Sequence, residues 1–287
     1  MYVFINGKIL PIEQAAVSVM DHGLLYGDGV FETMRVYAGR VFKIEEHLKR
    51  LRMGTSAIEL NIPYSNEELT GHIYNTIETN GLLDATVRVT VTRGAGPLTL
   101  DIRLLTNPTV FILVQPFIGY PPEYYSDGIK VMVSTVQRNA KDALNPAIKS
   151  LNFLNNIMAK TESIKNNVGE ALMLNNEGFL TECTVSNIFF INNKGLLCTP
   201  AVHCGILNGI TREFIITLAK QNGIPVEEGR YTVADIYEAQ EVFLTNTVME
   251  LLPVSSIDAI RYKQGVITYK LMNAYKDEIK RFKGEII

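Results

Sequence analysis

Residues 145–160, NPAIKSLNFLNNIMAK, are the stretch on which both the fold and the chemistry of this sequence depend. The apolar residues from Leu151 onward lie close to one helical face, which predicts a helix from Leu151 to Lys165. Lys149 stands just before this helix, where an amine beside the core loses part of its hydration. The segment alone leaves two interpretations open: a helix-end lysine whose ammonium reaches water, or a desolvated amine that forms a Schiff base.

The composition argues against several classes of protein. The chain has 287 residues, 47% of them hydrophobic, and a formal net charge of −3, without the basic excess that would indicate a nucleic-acid partner. No apolar run approaches the roughly 20 residues that span a bilayer, so no membrane association is expected. The first ten residues do not have the pattern of a signal peptide, and the three cysteines form no CxxC pair, which favours the cytoplasm. Four scattered histidines lack metal-ligand spacing, so no metal site is expected.

Periodicity along the chain predicts an α+β protein with two sheet-and-helix domains. Residues 1–115 form the predicted N-terminal α/β domain, which begins with a hairpin around Asn6 and Gly7. Residues 116–128, PFIGYPPEYYSDG, are rich in Pro, Gly and Tyr and form the predicted interdomain connection. Residues 129–287 form the predicted C-terminal domain. A cleft between two such domains is the expected place for a ligand.

Two short stretches contain the residues of a phosphate-binding cup. GILNGITREF, residues 205–214, places glycines and Thr211 before a predicted helix, so that backbone amides can face an anion. LTNTVMEL, residues 244–251, ends a predicted strand with small polar residues, among them Asn246 and Thr247. Arg50, on another predicted helix, can supply a matching cation. Each feature also has a plain structural interpretation: a capped helix, a turn and a solvated helix face.

Glu182 lies at the end of an apolar strand, where a carboxylate needs a partner. A Schiff-base lysine, a phosphate cup and a strand-end carboxylate together suggest pyridoxal phosphate. In this combination Lys149 holds the aldehyde, the cup holds the phosphate, and Glu182 keeps the pyridine nitrogen protonated so that the ring accepts electrons.

Four stretches of the chain resemble the class IV, fold-type IV pyridoxal-phosphate enzymes; they are residues 21–51, 148–160, 170–190 and 205–214. This family includes branched-chain aminotransferases, D-amino acid aminotransferases and aminodeoxychorismate lyases. The resemblance runs through nearly the whole chain in the family's order. It implies two α/β domains with pyridoxal 5'-phosphate in the cleft between them, so that residues 129–287 form the cofactor-binding domain. It also implies a homodimer in which the partner chain helps to close the site.

The resemblance implies roles for single residues. Lys149 is the implied Schiff-base lysine and catalytic acid/base, and Glu182 is the implied partner of the pyridine nitrogen. The other implied cofactor contacts, mostly to the phosphate, are Arg50, Ile210, Thr211, Asn246 and Thr247. The expected substrate pocket includes Phe31, Arg35 and Leu98.

Departures from the family's motifs bear on the substrate. D-Amino acid aminotransferases typically have an Arg-x-His pair and a tyrosine where this chain has Leu98, Leu100 and Phe31, which argues against a D-specific carboxylate site. Branched-chain aminotransferases usually show FEGIR, whereas residues 31–35 are FETMR, with Thr33 in place of glycine. Their TGTAAE-like turn is replaced by TNTVME at residues 245–250. Both differences resemble aminodeoxychorismate lyases.

The sequence therefore favours 4-amino-4-deoxychorismate lyase, which releases pyruvate and 4-aminobenzoate in folate synthesis. In that reaction Lys149 removes a proton from the amine-bearing carbon, and Thr33 helps the enolpyruvyl group to leave. The first alternative is a branched-chain amino acid aminotransferase, to which KSLNFLNN and RGAGPLTLD are also suited. The further alternatives are a D-amino acid aminotransferase and, most remote, a non-catalytic binding module on the same fold. The presence of both Lys149 and Glu182 argues against the binding module.

Overall fold

The computed structural model of this protein describes residues 1–285 and contains two compact units. The first unit comprises Met1–Ile118 together with Ile148–Asn152, and the second comprises Gly119–Ala147 and the chain from Phe153 onward. Each unit combines a β-sheet with helices, so the predicted α+β class is confirmed. The division differs from the predicted boundaries in two respects. Ile148–Asn152 belongs to the first unit rather than to the C-terminal domain, and the predicted connection, residues 116–128, is divided between the two units after Ile118.

The first unit is built on a six-stranded sheet. Its strands and α-helices are β1 (Tyr2–Ile5), β2 (Lys8–Pro11), α1 (His22–Tyr26), β3 (Gly29–Tyr37), β4 (Arg40–Val41), α2 (Ile44–Ala57), α3 (Asn66–Asn80), β5 (Ala85–Thr92) and β6 (Thr109–Pro116). Short 3₁₀ helices cover Ile12–Gln14 and Ile102–Leu104. The strand order is β2-β1-β6-β5-β3-β4, and all neighbours are antiparallel.

Alternation along β3 gives the sheet of the first unit two different faces. One face carries Val30, Met34 and Val36, which form the core of the unit together with buried residues of α2 and α3. The other face carries Phe31, Thr33 and Arg35, because successive side chains of a strand point to opposite sides. The second face therefore presents an aromatic ring, a hydroxyl and a guanidinium, whereas Glu32 lies on the core face.

Local signals explain where several elements of the first unit begin and end. Asn6 and Gly7 have φ values of 45° and 87°, as a two-residue hairpin turn requires, so the predicted hairpin is confirmed. Ser65 caps the start of helix α3: its hydroxyl accepts from the Glu68 amide while the Glu68 side chain accepts from the Ser65 amide. It ends at Gly81, which adopts the left-handed conformation.

The segment that contains Lys149 runs beside β3 and not along a helix. The amide of Phe31 donates to the carbonyl of Lys149 over 3.0 Å, and the amide of Leu151 donates to the carbonyl of Gly29 over 2.9 Å. At Gly29 a Cβ atom would lie 2.5 Å from the Val91 carbonyl oxygen, so only glycine permits this close packing of strands. The predicted helix therefore begins at Leu154 and not at Leu151.

The second unit is built on a nine-stranded mixed sheet. Its strands and α-helices are α4 (Pro122–Asp127), β7 (Ile129–Val133), α5 (Leu154–Lys165), β8 (Glu170–Leu174), β9 (Leu180–Cys183), β10 (Asn187–Ile191), β11 (Leu197–Pro200), α6 (Ile210–Gln221), β12 (Val226–Gly229), α7 (Val233–Tyr237), β13 (Glu241–Asn246), β14 (Glu250–Ile257), β15 (Ile260–Arg261) and α8 (Val266–Lys283). A 3₁₀ helix covers Val202–Cys204. The strand order is β12-β11-β10-β13-β14-β7-β8-β9, with β15 paired to β14.

The second sheet packs around a core to which most of its strands contribute. Leu172, Ile188, Leu244 and Leu252 are among its fully buried members. Helix α4 lies inside the predicted connection and belongs to this unit, since the Tyr125 hydroxyl donates to the Met249 carbonyl over 3.2 Å.

Two further properties concern residues 1–285. No helix in this part of the chain is both long and apolar enough to cross a membrane. Cys183, Cys198 and Cys204 are buried free thiols. The cytoplasmic location stays a prediction.

Candidate active site

Phe31 is the centre of a group of cations on the polar face of the first unit. The Nζ atom of Lys149 lies 4.5 Å from the centroid of the Phe31 ring, and the Cζ atom of Arg88 lies 3.7 Å from it. Phe31 is buried, while Lys149 and Arg88 are half-buried. Both distances are within the roughly 6 Å at which a cation is attracted to the electron-rich face of an aromatic ring.

Arg88 was not identified in the sequence. It lies on β5 directly opposite Thr33 of β3, and burial lowers the pKa of its guanidinium. Its neighbours Val87 and Val89 belong to the apolar core, so Arg88 is on the opposite face of the sheet. The alternation of TVRVTVT, residues 86–92, was the signal that could have revealed it. Apolar and polar residues alternate there, which predicts one core face and one polar face, and Arg88 belongs to the polar face.

Arg50, on α2, lies on the core side of β3. Its Nε and Nη2 atoms each donate to the carboxylate of Glu32 over 2.7 Å, which makes a two-pronged ion pair. Glu32 is fully buried, and Arg50 keeps 13% exposure at its side chain. The predicted phosphate ligand is therefore held by a carboxylate that the sequence did not single out.

The remaining predicted pocket residues of the first unit differ in their surroundings. The guanidinium of Arg35 pairs with Asp84, donates to the Ala85 carbonyl over 3.1 Å, and lies 3.5 Å from the centroid of the Phe117 ring. Arg35 is 4% exposed, so its guanidinium is buried among these contacts. Leu98, in contrast, is 69% exposed on the loop that follows β5.

Glu182 is the centre of a hydrogen-bonded group in the second unit. Its Oε1 atom accepts from Nη2 of Arg138 over 2.8 Å, and its Oε2 atom accepts from Nδ2 of Asn187 over 3.1 Å and from the Leu207 amide over 3.0 Å. Arg138 is itself held by Oδ1 of Asn156 over 3.0 Å. Glu182 is 6% exposed, and its pairing with Arg138 provides the partner that a buried carboxylate needs.

The start of α6 has the features of an anion site. Gly209 precedes the helix and has no side chain to accept hydrogen bonds from the first amides, those of Ile210 and Thr211. A Cβ atom at Gly209 would lie 2.1 Å from Oδ1 of Asn187, so glycine is required there. Thr245, opposite Asn187 in the sheet, has a buried hydroxyl without a hydrogen-bond partner among residues 1–285.

Asn246 and Thr247 follow at the end of β13. The Oδ1 atom of Asn246 accepts from the amides of Val248 and Met249, both over 2.8 Å, and its Nδ2 atom donates to the Val185 carbonyl over 3.2 Å. Asn246 therefore fixes the turn, and Thr247 is the half-buried residue that the turn presents.

The structure thus brings some of the predicted residues together within each unit, whereas Arg50, Arg35 and Leu98 lie in other surroundings. Lys149, Phe31 and Thr33 share the polar face of the first sheet. Glu182 and the start of α6 are joined through Asn187 in the second unit. Among the described residues there is no cluster of His, Cys, Asp and Glu side chains suited to a metal ion.

These residues fit pyridoxal phosphate. A buried carboxylate suits a ring N–H, and a glycine-lined helix start with an unsatisfied hydroxyl nearby suits a phosphate. A half-buried amine over an aromatic ring suits an aldehyde. The fold and these groups define the fold-type IV enzymes that use this cofactor.

The chain belongs to the class IV aminotransferases, since the family model described as amino-transferase class IV matches residues 29–257. Class IV aminotransferases use pyridoxal phosphate, so the predicted family and cofactor are confirmed, and the chain is an enzyme rather than a binding module.

Curated relatives cover the chain almost end to end. It is 45% identical to a putative branched-chain-amino-acid aminotransferase of Methanocaldococcus jannaschii, over 96% of both chains. It is 35% identical to D-alanine aminotransferase of Listeria monocytogenes, over 100% of this chain and 99% of that protein. It is 31% identical to aminodeoxychorismate lyase of Bacillus subtilis, over 97% of this chain and 94% of that protein.

Solved structures of branched-chain aminotransferases have the same fold. The enzyme of Escherichia coli superposes with a TM-score of 0.93 at 31% identity, over 96% of this chain and 93% of that one. The enzyme of Thermoproteus uzoniensis with norvaline superposes with a TM-score of 0.92 at 34% identity, over 97% of this chain and 94% of that one.

Proposed function

We propose that this protein is a pyridoxal-phosphate-dependent aminotransferase whose amino donors are branched-chain L-amino acids. The observation that carries the proposal is the pair of cations at Phe31, with Lys149 Nζ at 4.5 Å and Arg88 Cζ at 3.7 Å from the ring centroid. An amine for covalent chemistry and a guanidinium for a carboxylate thus share an aromatic surface, as an α-amino acid substrate requires. The 45% identity to the Methanocaldococcus jannaschii protein supports a branched-chain donor.

Lys149 is the proposed acid/base of the reaction. Bound pyridoxal phosphate supplies an aldehyde that condenses with amino groups and a ring that accepts electrons from the α carbon. Lys149 removes the proton from the α carbon of the donor amino acid and, in the second half-reaction, gives a proton to the α carbon derived from the keto acid. Glu182 holds a proton at the ring nitrogen, and Arg138 fixes the Glu182 carboxylate.

The proposed phosphate contacts come from three elements. The amides and side chain at the start of α6 supply Ile210 and Thr211, and the turn after β13 supplies Thr247, with Asn246 fixing that turn. Arg50 supplies the charge. Oriented backbone amides and a cation are common protein partners of a phosphate. The amino end of a helix also attracts the phosphate, because it carries a partial positive charge.

Arg88 is the proposed partner of the substrate carboxylate, and Phe31 and Thr33 contact the rest of the substrate. Arg35 has its guanidinium engaged with Asp84 and the Ala85 carbonyl, so its proposed part in the pocket is to support the wall. Leu98 is proposed as an apolar contact from an exposed loop.

The lyase, which the sequence favoured, is the second candidate. Thr33 supports it, because a hydroxyl directly opposite Arg88 can donate to a leaving enolpyruvyl oxygen. We rank the aminotransferase first because identity is 45% to the putative branched-chain aminotransferase and 31% to the lyase.

A homodimer is the proposed assembly, and an apolar surface of the first unit is its proposed interface. Two segments, residues 17–26 with helix α1 and residues 95–104, expose Val19, Leu24, Leu98 and Leu100 by 67 to 83%. The two segments are joined, since the Gly96 amide donates to the Met20 carbonyl over 3.3 Å. Exposed apolar groups of this kind favour contact with a second copy.

One experiment tests the function. The protein loaded with pyridoxal phosphate is given L-leucine, D-alanine or aminodeoxychorismate, the first two with 2-oxoglutarate, and the keto acid or 4-aminobenzoate is measured. The proposal expects the highest kcat/KM with L-leucine. Faster release of 4-aminobenzoate would replace it with the lyase, and faster turnover of D-alanine would replace it with a D-specific enzyme.

A further inference from the structure

Glu32 is a buried carboxylate on the apolar face of β3. It is 0% exposed and lies on the same face as Val30 and Met34, both core residues. A carboxylate at such a position is costly unless it is paired. Its position therefore points to a task that an apolar residue cannot perform.

Two residues of α2 bind this carboxylate. Arg50 donates from Nε to Oε1 and from Nη2 to Oε2, both over 2.7 Å. Nδ1 of His47 lies 2.8 Å from Oε2. His47 and Arg50 are three positions apart, so they lie on one face of the helix.

The surroundings of Glu32 and His47 determine which of these two side chains is charged near neutral pH. Burial raises the pKa of Glu32, but the charge and hydrogen bond of Arg50 and the hydrogen bond of His47 outweigh it and hold the pKa at about 2. Burial lowers the pKa of His47, so near neutral pH it is a neutral ring that donates from Nδ1 to the carboxylate. Glu32 and Arg50 thus form an ion pair of zero net charge.

We propose that Glu32 is a positioning residue for Arg50: its carboxylate, braced by His47, fixes the plane of the guanidinium that binds the cofactor phosphate. A guanidinium held through Nε and Nη2 loses rotation about its long side chain, so less freedom is lost when a phosphate binds. The inference rests on the proposed function, in which Arg50 contacts that phosphate.

The test compares two ligands that differ only in the phosphate. Equilibrium dialysis of the cofactor-free protein measures the Kd of pyridoxal phosphate and of pyridoxal, and their ratio isolates the phosphate contribution. Glu32→Gln, which keeps the size of the side chain, is expected to lower the pyridoxal phosphate preference by about tenfold, the effect of one misdirected charge-assisted hydrogen bond. The Kd of pyridoxal should stay within about twofold of its value for the unchanged protein. A folding defect, in contrast, would weaken the binding of both ligands.

A double-variant cycle separates positioning from a general structural effect. Arg50→Gln should lower the preference at least as much as Glu32→Gln, and the double variant should lose no more than Arg50→Gln alone. Glu32→Asp, which keeps a shorter carboxylate, should give an intermediate preference and serves if Glu32→Gln does not fold.

The outcomes separate the proposed phosphate contact of Arg50 from the proposed positioning role of Glu32. If Arg50→Gln leaves the preference unchanged, the proposed phosphate contact is wrong, and this inference is wrong with it. If Arg50→Gln lowers it but Glu32→Gln and Glu32→Asp do not, or if the losses of the double variant add, the inference alone is overturned.

Discussion

Arg138 and Glu182 form a buried ion pair, with Nη2 of Arg138 2.8 Å from Oε1 of Glu182 and both side chains below 10% exposure. The pair joins the segment after β7 to the end of β9. Removal of one partner leaves the other charge buried without compensation, which is more costly than the loss of the contact itself.

Arg138→Met is therefore expected to lower the free energy of unfolding by about 3 kcal/mol. Urea unfolding followed by circular dichroism measures this loss. Arg103→Met is the matched control, since Arg103 is 84% exposed in its pair with Asp101 and should cost under about 1 kcal/mol. Equal losses in the two variants would contradict the account of the buried pair.

Lys149→Ala tests the amine beside Phe31. The variant should lose the visible absorbance of the covalently held cofactor and at least about 10³-fold in kcat, because both the nucleophile and the proton carrier are removed. Lys165→Ala, at an exposed lysine in the last turn of α5, should keep both properties. Cofactor that stays attached to the Lys149→Ala protein after borohydride reduction would assign the covalent bond to another lysine.

Arg88→Gln tests the carboxylate partner. Loss of one charge-assisted interaction should lower kcat/KM for L-leucine by about 10- to 100-fold while the absorbance of the bound cofactor is unchanged. 3-Methylbutylamine, which is leucine without its carboxylate, should react with the variant and the unchanged enzyme at similar rates. An equal loss with the amine would mean that Arg88 supports the site rather than the carboxylate.

His47 should make the stability of the protein depend on pH. Burial lowers its pKa in the native state, and the hydrogen bond and charge of Glu32 offset this only in part. The unfolded chain therefore binds a proton near pH 6.5 that the native chain does not bind, so stability falls as pH decreases from 7 toward 5, by at most about 1.4 kcal/mol per unit.

The variant His47→Gln is expected to flatten this part of the stability curve, as measured by urea unfolding between pH 5 and 8. His203→Gln, at an exposed histidine, is the control. The same slope in the His47→Gln variant and the unchanged protein would show that another group causes the effect.

Leu24→Asp tests the proposed interface. Leu24 is 67% exposed in α1, so the folded chain should tolerate the change, whereas a charge in an apolar contact between two copies should not. Sedimentation equilibrium is expected to give a dimer for the unchanged protein and a monomer for the variant. Ile118→Asp, at an 84% exposed residue outside these two segments, should remain dimeric.

The site was only partly predictable from the sequence. Lys149, Glu182 and the glycine-rich start of α6 were identified because a resemblance gave roles to residues that are weak signals alone. Arg88 and Arg138 were missed, since each is an isolated arginine whose partners, Phe31 and Glu182, are 57 and 44 positions away. Such partners become visible only when strands pair.

Sequence by itself determined the α+β class, the hairpin at Asn6 and Gly7, and the family, because these depend on local periodicity, turn chemistry and contiguous motifs. Tertiary structure alone decided that Leu151 and Asn152 lie outside the helix and that Ile148–Asn152 runs beside β3 in the first unit. It also decided that Glu32 holds Arg50 and that Arg88 joins Lys149 at one ring. These contacts depend on long-range hydrogen bonds and on the burial of charge, which local sequence preferences do not specify.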